Sequence, residues 1–129
     1  MSHEWMIAAS DDLATIESIE DKPSLTHIVA FHAQQCIEKS LKGVIEEFEL
    51  QSAKIHNLRR LFSVCDRYVT LDEKEDDLVD LLDQIYIDAR YPGDRGLMPD
   101  GKPTQEDAQQ FHDFARKLYN QCNDILTES

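Results

Sequence analysis

One face of a long amphipathic segment carries polar side chains that could bind an anion. Within residues 25–49, four polar residues recur at steps of three, four and three: His32, Gln35, Lys39 and Lys42. This spacing places them on one side of a helix. Two ammonium groups, an amide and an imidazole so arranged would suit a phosphate or a nucleotide. The alternative is a solvated face on which Glu38 and Glu46 balance the lysines, as surface helices often show.

A second candidate lies where the fourth predicted helix must end. Arg90 and Tyr91 stand just before Pro92, and the residue before a proline is pushed out of helical geometry. The guanidinium of Arg90 could satisfy the last carbonyls of that helix and its dipole. Alternatively, Arg90 could bind a phosphate in bidentate fashion while Tyr91 stacks on a base. The sequence leaves both roles open.

Two further side chains could do chemistry if a partner lies close to them. His56 and Asn57 precede the third predicted helix, and either could cap it. His56 could instead transfer a proton, which would need a partner within hydrogen-bond reach. Asp12 lies in the first predicted helix, where a solvent-facing position is the simpler expectation. The alternative is that Asp12 pairs with a lysine of the second helix.

The elements that must position these residues are helices. Apolar residues recur at steps of three and four along most of the chain, and no segment alternates long enough to predict a strand. Ser24 and Thr104 stand where N-caps of the second and fifth helices would lie. Residues 91–103 hold three prolines and three glycines, which predicts a long loop. We expect an all-α, up-and-down bundle of four to five helices, at about residues 3–20, 25–49, 57–65, 71–89 and 104–125.

Length and charge exclude several classes of protein. A chain of 129 residues fits one domain, residues 1–129. With 13 Lys and Arg against 26 Asp and Glu, the net charge is −13, which disfavours DNA as a partner. No apolar run is long enough to span a membrane and no secretory signal is evident, so a cytoplasmic location is expected. Three widely spaced cysteines predict buried thiols, not a disulfide framework.

Recognised cofactor and metal motifs are absent from the sequence. There is no Glu-x-x-His, no His-Glu-x-x-His, no phosphate-binding P-loop and no Gly-x-Gly-x-x-Gly. We therefore expect neither a metal nor a cofactor.

Four segments, in this order, together resemble the HEPN family of nucleotide-binding helical domains. The most specific is FHAQQCIEKSLK at residues 31–42, which is close to a family signature. The other three are DDL at residues 11–13, HNL at residues 56–58 and ARYP at residues 89–92. Spread in this way, the resemblance covers nearly the whole chain.

The resemblance implies a helical bundle, usually a homodimer, that is often encoded beside a minimal nucleotidyltransferase. Such a pair is thought to act as a two-component nucleotidyltransferase or as a toxin–antitoxin module, in which the helical subunit binds the nucleotide or is itself a ribonuclease. For a binding subunit, the implied phosphate ligands are His32, Gln35, Lys39, Lys42 and Arg90. Tyr91 would stack on the base, and His56 and Asp12 are possible additions.

One departure from the family pattern bears on activity. Ribonuclease members carry an arginine followed, after four to six residues, by a histidine, and no histidine of this chain stands in that relation to an arginine. We therefore expect a binding subunit that is not catalytic alone, with no catalytic residue assigned. The alternatives are a helical adaptor or dimerisation protein without a ligand, or a ribonuclease toxin with a degenerate site that uses Arg90 and His56.

Overall fold

The computed structural model describes residues 2–50, 54–89 and 102–128, and the regular structure in these ranges is entirely helical. The predicted all-α bundle is confirmed. One turn of 3₁₀ helix, Pro23–Leu25, lies between the first two α-helices. The α-helices are α1 (Ser2–Ile19), α2 (Thr26–Glu47), α3 (Leu58–Val64), α4 (Glu73–Ala89) and α5 (Gln105–Glu128). None of the helices in the described ranges is long and apolar enough to cross a membrane.

Helix α2 is the centre of the bundle and packs against the other four α-helices. The apolar residues that recur at steps of three and four along the second predicted helix are expected to face the core. Six of them are buried: Val29, Ala33, Cys36, Ile37, Leu41 and Val44. Phe48, just beyond the end of α2, is half-buried. Polar residues of the same helix are buried as well: Gln34, Glu38, Ser40 and Lys42. The interpretation of a solvated polar face therefore fails for this part of α2, because neighbouring helices cover it.

Side chains cap two helices as the sequence predicts. The side-chain oxygen of Asn57 accepts the backbone N–H of Arg60 at 3.0 Å, so Asn57 is the N-cap of α3. Thr104 and Asp107 form a reciprocal capping box at the start of α5, with bonds of 2.9 and 3.0 Å. Each cap satisfies backbone N–H groups that have no partner within the helix.

The predicted N-cap at Ser24 is wrong. Ser24 lies inside the 3₁₀ turn, and α2 begins only at Thr26. Leu25 occupies the N-cap position and makes no side-chain capping bond. The start of α2 is held instead by the buried hydroxyl of Thr26, which donates to the carbonyl of Pro103 just before α5.

The three cysteines are buried free thiols, as predicted. Burial raises the pKa of Cys36 and of Cys65 to about 12 and raises that of Cys122 further. All three thiols are therefore protonated near neutral pH, and they act as small apolar side chains of the core.

Because Ile37 on α2 is fully buried (0% exposed), we expect Ile37→Ala to lower the free energy of unfolding by about 2–5 kcal/mol. The matched control is Ile7→Ala, because Ile7 on α1 is 51% exposed and should change stability by less than about 1 kcal/mol. Urea denaturation followed by circular dichroism measures both. Equal losses in the two variants would contradict the central position of α2.

Candidate functional site

A buried carboxylate of α1 holds two basic side chains of α2. Asp12 Oδ1 lies 2.8 Å from His32 Nδ1, and Asp12 Oδ2 accepts from Lys39 Nζ at 2.8 Å. His32 and Lys39 are seven residues apart and thus two turns apart on the same face. Their side chains remain 26% and 27% exposed, whereas that of Asp12 is 8% exposed. Asp12 therefore joins α1 to α2 and leaves both basic groups at the surface.

The expected solvent-facing position of Asp12 is wrong, and the alternative pairing with a lysine is observed. Asp12 follows Ala9 by three residues and precedes Ile16 by four, and both of these apolar residues are fully buried. This spacing places the carboxylate on the face of α1 that packs against α2. Asp11, one residue earlier, is exposed.

A second buried carboxylate repeats this arrangement one layer further along α2. Glu38 Oε2 accepts from Lys42 Nζ at 2.8 Å and lies 3.0 Å from His56 Nδ1. Lys42 is almost fully buried, and its ammonium group lies 5.3 Å from the centre of the Trp5 ring on α1, within the range of a cation–π contact. The His56 side chain is 57% exposed. Each carboxylate thus binds one lysine and one histidine.

Two glutamine amides border the second carboxylate. Gln34 Nε2 donates to Glu38 Oε1 at 3.2 Å and to the carbonyl of His56 at 3.4 Å. Gln35 Nε2 donates to Gln34 Oε1 at 2.7 Å. We call these connected residues the polar network: Asp12, His32, Gln34, Gln35, Glu38, Lys39, Lys42 and His56.

The net charge of the polar network depends on its two imidazoles. Two carboxylates balance two ammonium groups, so protonation of His32 or His56 makes the network positive. An ionised carboxylate only accepts hydrogen bonds, so each ring donates from Nδ1, and Nε2 is the nitrogen that can meet a ligand. Lys42 Nζ also lies 3.4 Å from His56 Nδ1. The distance from His56 Nδ1 to Glu38 Oε2 is shorter, at 3.0 Å, so His56 Nδ1–H donates to Glu38.

Next to His56 is a cleft of about 180 Å³ that is lined by residues of α4 and of the approach to α3: His56, Asn57, Asp83, Tyr86 and Ile87. The Tyr86 ring stacks on Phe31 of α2 with centroids 5.9 Å apart, and Phe31 in turn meets the His32 ring edge-on at 5.4 Å. Phe31 therefore connects the cleft with the polar network.

Asp83 lines the cleft and fixes the start of α3. Its two carboxylate oxygens accept the backbone N–H groups of Leu58 at 2.8 Å and of Arg59 at 3.2 Å. Burial raises the pKa of the Asp83 carboxyl, although these two hydrogen bonds favour its ionised form. The side chain is thus an acceptor whose geometry is set by the α3 backbone.

The structure brings together most of the side chains that the sequence nominates. His32, Gln35, Lys39, Lys42, Asp12 and His56 belong to the polar network. Arg90 lies outside the described residues. Residues 91–101 of the predicted loop, which include Tyr91, lie outside them as well. Within the described ranges, no group of three or more His, Cys, Asp or Glu side chains could hold a metal ion.

Sequence reasoning missed several members of the site. Glu38 carries a signal, since it precedes Lys42 by four residues on one helix. Gln34 lies within the most specific motif segment. Tyr86 and Asp83 have no sequence signal, because only the packing of α4 against α2 and α3 brings them to the site.

Comparison with known protein families gives one match. The family model described as HEPN domain matches residues 2–125, nearly the whole chain. No curated protein matches the chain, and neither does any solved structure.

Replacing Asp12 should destabilise the protein, because the Asp12 carboxylate neutralises charge in the α1–α2 interface. We expect Asp12→Asn to lower the free energy of unfolding by about 1–3 kcal/mol. Asp11→Asn, which changes the net charge equally at an exposed position, should cost less than about 0.5 kcal/mol. Chemical denaturation of both variants measures the difference, and equal effects would show that the Asp12 contacts contribute nothing specific.

The raised pKa of Asp83 predicts the sign of a pH effect. A native pKa above the ordinary value of 3.8 means that the native state binds this proton more tightly than the unfolded chain. The stability that this pKa difference contributes is fully present below the ordinary pKa of Asp. It is lost as the pH rises through the pKa of Asp83 in the native state. The unfolding free energy of the wild type minus that of Asp83→Asn should therefore fall as the pH rises above about 4. A rise would mean that the backbone hydrogen bonds outweigh burial.

Proposed function

Because the chain belongs to the HEPN domain family, we propose that it is a nucleotide-binding subunit whose phosphate site lies at the outer edge of the polar network. One observation carries the proposal. Two buried carboxylates each hold one lysine and one histidine, and three of those four basic groups are partly exposed. Such an arrangement presents oriented N–H donors to a polyanion. It does not require a bound metal ion.

Lys39 and His32 are the direct phosphate ligands in this proposal. An ammonium group has three N–H donors, and Asp12 accepts one from Lys39, so two directions remain for phosphate oxygens. His32 Nε2 lies on the ring edge away from Asp12 and can donate when the ring is protonated. Gln35 stands between these two residues on the same stripe and is half-buried.

Lys42 has a positioning role in the proposal. Its ammonium group is buried between Glu38 and the Trp5 ring, so it holds the carboxylate that orients His56. His56 is the more exposed partner of Glu38 and can approach the ligand from the start of α3. The site residues predicted from the sequence thus fall into two groups in this proposal. Lys39 and His32 contact the ligand, and Lys42 positions other side chains.

The net charge of −13 is compatible with an anionic ligand. Phosphate recognition depends on the local potential, and partly buried charges are screened less than exposed ones. A bound polyphosphate would also favour protonation of His32 and His56, which makes the network positive. The acidic remainder of the surface would suit a basic docking face on a partner.

For the partner, we extend the proposal to a minimal nucleotidyltransferase, within a two-component nucleotidyltransferase or a toxin–antitoxin module. In that arrangement the helical chain, as a homodimer, supplies the nucleotide or substrate site and the partner supplies the catalytic centre. Family membership supports this extension.

A second candidate function is a helical adaptor without a small ligand. The observation that favours it is the internal neutralisation of both lysines, since Lys39 pairs with Asp12 and Lys42 with Glu38. In this alternative the polar network only fixes the packing of α1, α2 and α3. Ligand titration separates the two candidates.

Removing the Lys39 ammonium group should weaken the phosphate site. We expect saturable binding of tripolyphosphate, ATP or GTP to the wild type in calorimetric titration, and at least a roughly tenfold weaker affinity in Lys39→Gln, equivalent to about 1.4 kcal/mol. Lys22→Gln is the control, because Lys22 is an exposed lysine on the link between α1 and α2 and its loss changes the net charge equally.

Two outcomes would contradict the proposal. If no phosphate compound gives heat at millimolar concentration, the adaptor function is favoured. If Lys39→Gln and Lys22→Gln weaken binding equally, the effect is one of overall charge and the site is elsewhere. Thermal unfolding of each variant checks that the bundle is intact.

A further inference from the structure

The charges of the polar network cancel when its two imidazoles are neutral. Asp12 pairs with Lys39 at 2.8 Å, and Glu38 pairs with Lys42 at 2.8 Å, so each lysine is balanced by the carboxylate beside it. The chain as a whole carries a net charge of −13, which repels a polyanion at long range. A phosphate chain therefore gains little from these ion pairs unless the network acquires positive charge.

His32 can supply that charge and a hydrogen-bond donor at the same time. Its Nδ1 lies 2.8 Å from Asp12 Oδ1, and the ring makes no other hydrogen bond within the described ranges, so Nε2 is left for a ligand. A neutral imidazole with its proton on Nδ1 presents a lone pair at Nε2, which repels a phosphate oxygen. An imidazolium presents an N–H there, which donates to that oxygen.

The surroundings of the His32 ring favour the imidazolium once a phosphate is bound. Asp12 faces one edge of the ring and the phosphate would face the other, so the positive ring would lie between two anions. The side chains of His32 and Asp12 are 26% and 8% exposed, and partly buried charges are screened less than exposed ones. The opposing charge is the Lys39 ammonium group, which bonds the other oxygen of Asp12. Phe31 meets the ring edge-on, with planes inclined by 88°, and brings no charge.

His56 is less suited to take up the same proton. Its Nδ1 lies 3.0 Å from Glu38 Oε2, but the Lys42 ammonium group lies only 3.4 Å away from it. The His56 side chain is also 57% exposed, so water screens its attraction to a bound anion more strongly. On α4, Tyr86 and the Asp83 carboxylate line the cleft beside His56, and Asp83 acts in the opposite sense to Lys42. The close cation and the larger exposure assign the proton to His32.

We propose that the site binds its phosphate ligand together with a proton, taken up at Nε2 of His32, so that pH regulates its affinity. This inference rests on the proposed function, since it assigns the regulation of the same site. Coupling between two ligands is reciprocal: bound phosphate favours the imidazolium, and the imidazolium strengthens phosphate binding. The affinity of the site should therefore rise as the pH falls, by up to about tenfold per pH unit for a single proton.

Calorimetric titration with tripolyphosphate, in buffers of different ionisation enthalpy, measures the protons taken up on binding. His32→Asn keeps a side-chain N–H near the position of Nδ1 but has no ionisable group. At a pH where free His32 is mostly neutral, we expect the wild type to take up about one proton more than His32→Asn. This difference cancels the protons that the phosphate chain itself gains or loses. His56→Asn, and the control His3→Asn at an exposed position of α1, should retain most of the uptake.

Nitrogen-15 NMR of the wild type measures the same proton without any substitution. Spectra with and without saturating tripolyphosphate follow both ring nitrogens of each histidine. We expect Nε2 of His32 to gain a proton in the complex, at a pH where it carries none in the free protein, while the exposed His3 ring stays unchanged. This measurement decides the question even where His32→Asn binds too weakly for calorimetry.

The outcomes separate this inference from the proposed function. If tripolyphosphate does not bind at any pH, the phosphate site itself is refuted, and the proton coupling with it. If tripolyphosphate binds but His32 stays neutral in the saturated complex, the phosphate site stands and the proton coupling is overturned. Loss of the proton uptake in His56→Asn, with the uptake kept in His32→Asn, would overturn the assignment to His32.

Discussion

The packing of the bundle around α2 depends on two carboxylates that are removed from water. Burying an unpaired charge is costly, so Asp12 and Glu38 must each meet a compensating positive group. Lys39 and Lys42 provide it at 2.8 Å in both cases. The Glu38–Lys42 pair lies within α2. The Asp12–Lys39 pair and the Trp5–Lys42 contact join α1 to α2 and thereby set where α1 lies along α2.

The same two carboxylates also position the groups that would meet a ligand. Asp12 orients His32, and Glu38 orients His56 at the approach to α3. A polyanion that draws the Lys39 ammonium group toward solvent would weaken its contact with Asp12, so binding and the stability of the α1–α2 interface are coupled. In this account, the polar network is at once part of the core and the inner wall of the proposed site.

The sequence predicts the helices well because their ends carry local signals. Asn57 and Thr104 cap helices as expected, since a cap depends on residues only a few positions away. Ser24 fails for a local reason of another kind: Pro23 starts a 3₁₀ turn, which delays the start of α2 by one residue. The three cysteines lie at the helical spacing of the apolar residues, so their burial is predicted together with that of the apolar residues.

The site is predicted less completely than the helices. Periodicity counts apolar residues, so it assigns Lys42 and Glu38 to a solvent face although both are buried. Burial of a polar side chain becomes foreseeable only when its partner is known, and Asp12 and Trp5 come from another helix. Asp83 and Tyr86 depend on how α4 packs against α2 and α3, for which no short-range signal exists.

Each buried carboxylate fixes one histidine through Nδ1. Nitrogen-15 NMR of the imidazoles in their neutral form shows which ring nitrogen carries the proton. We expect His32 and His56 to carry this proton on Nδ1 and to leave Nε2 unprotonated, with the exposed His3 as the reference ring. A predominance of the Nε2–H form in His32 and His56 would contradict it, because the carboxylates would then face a lone pair.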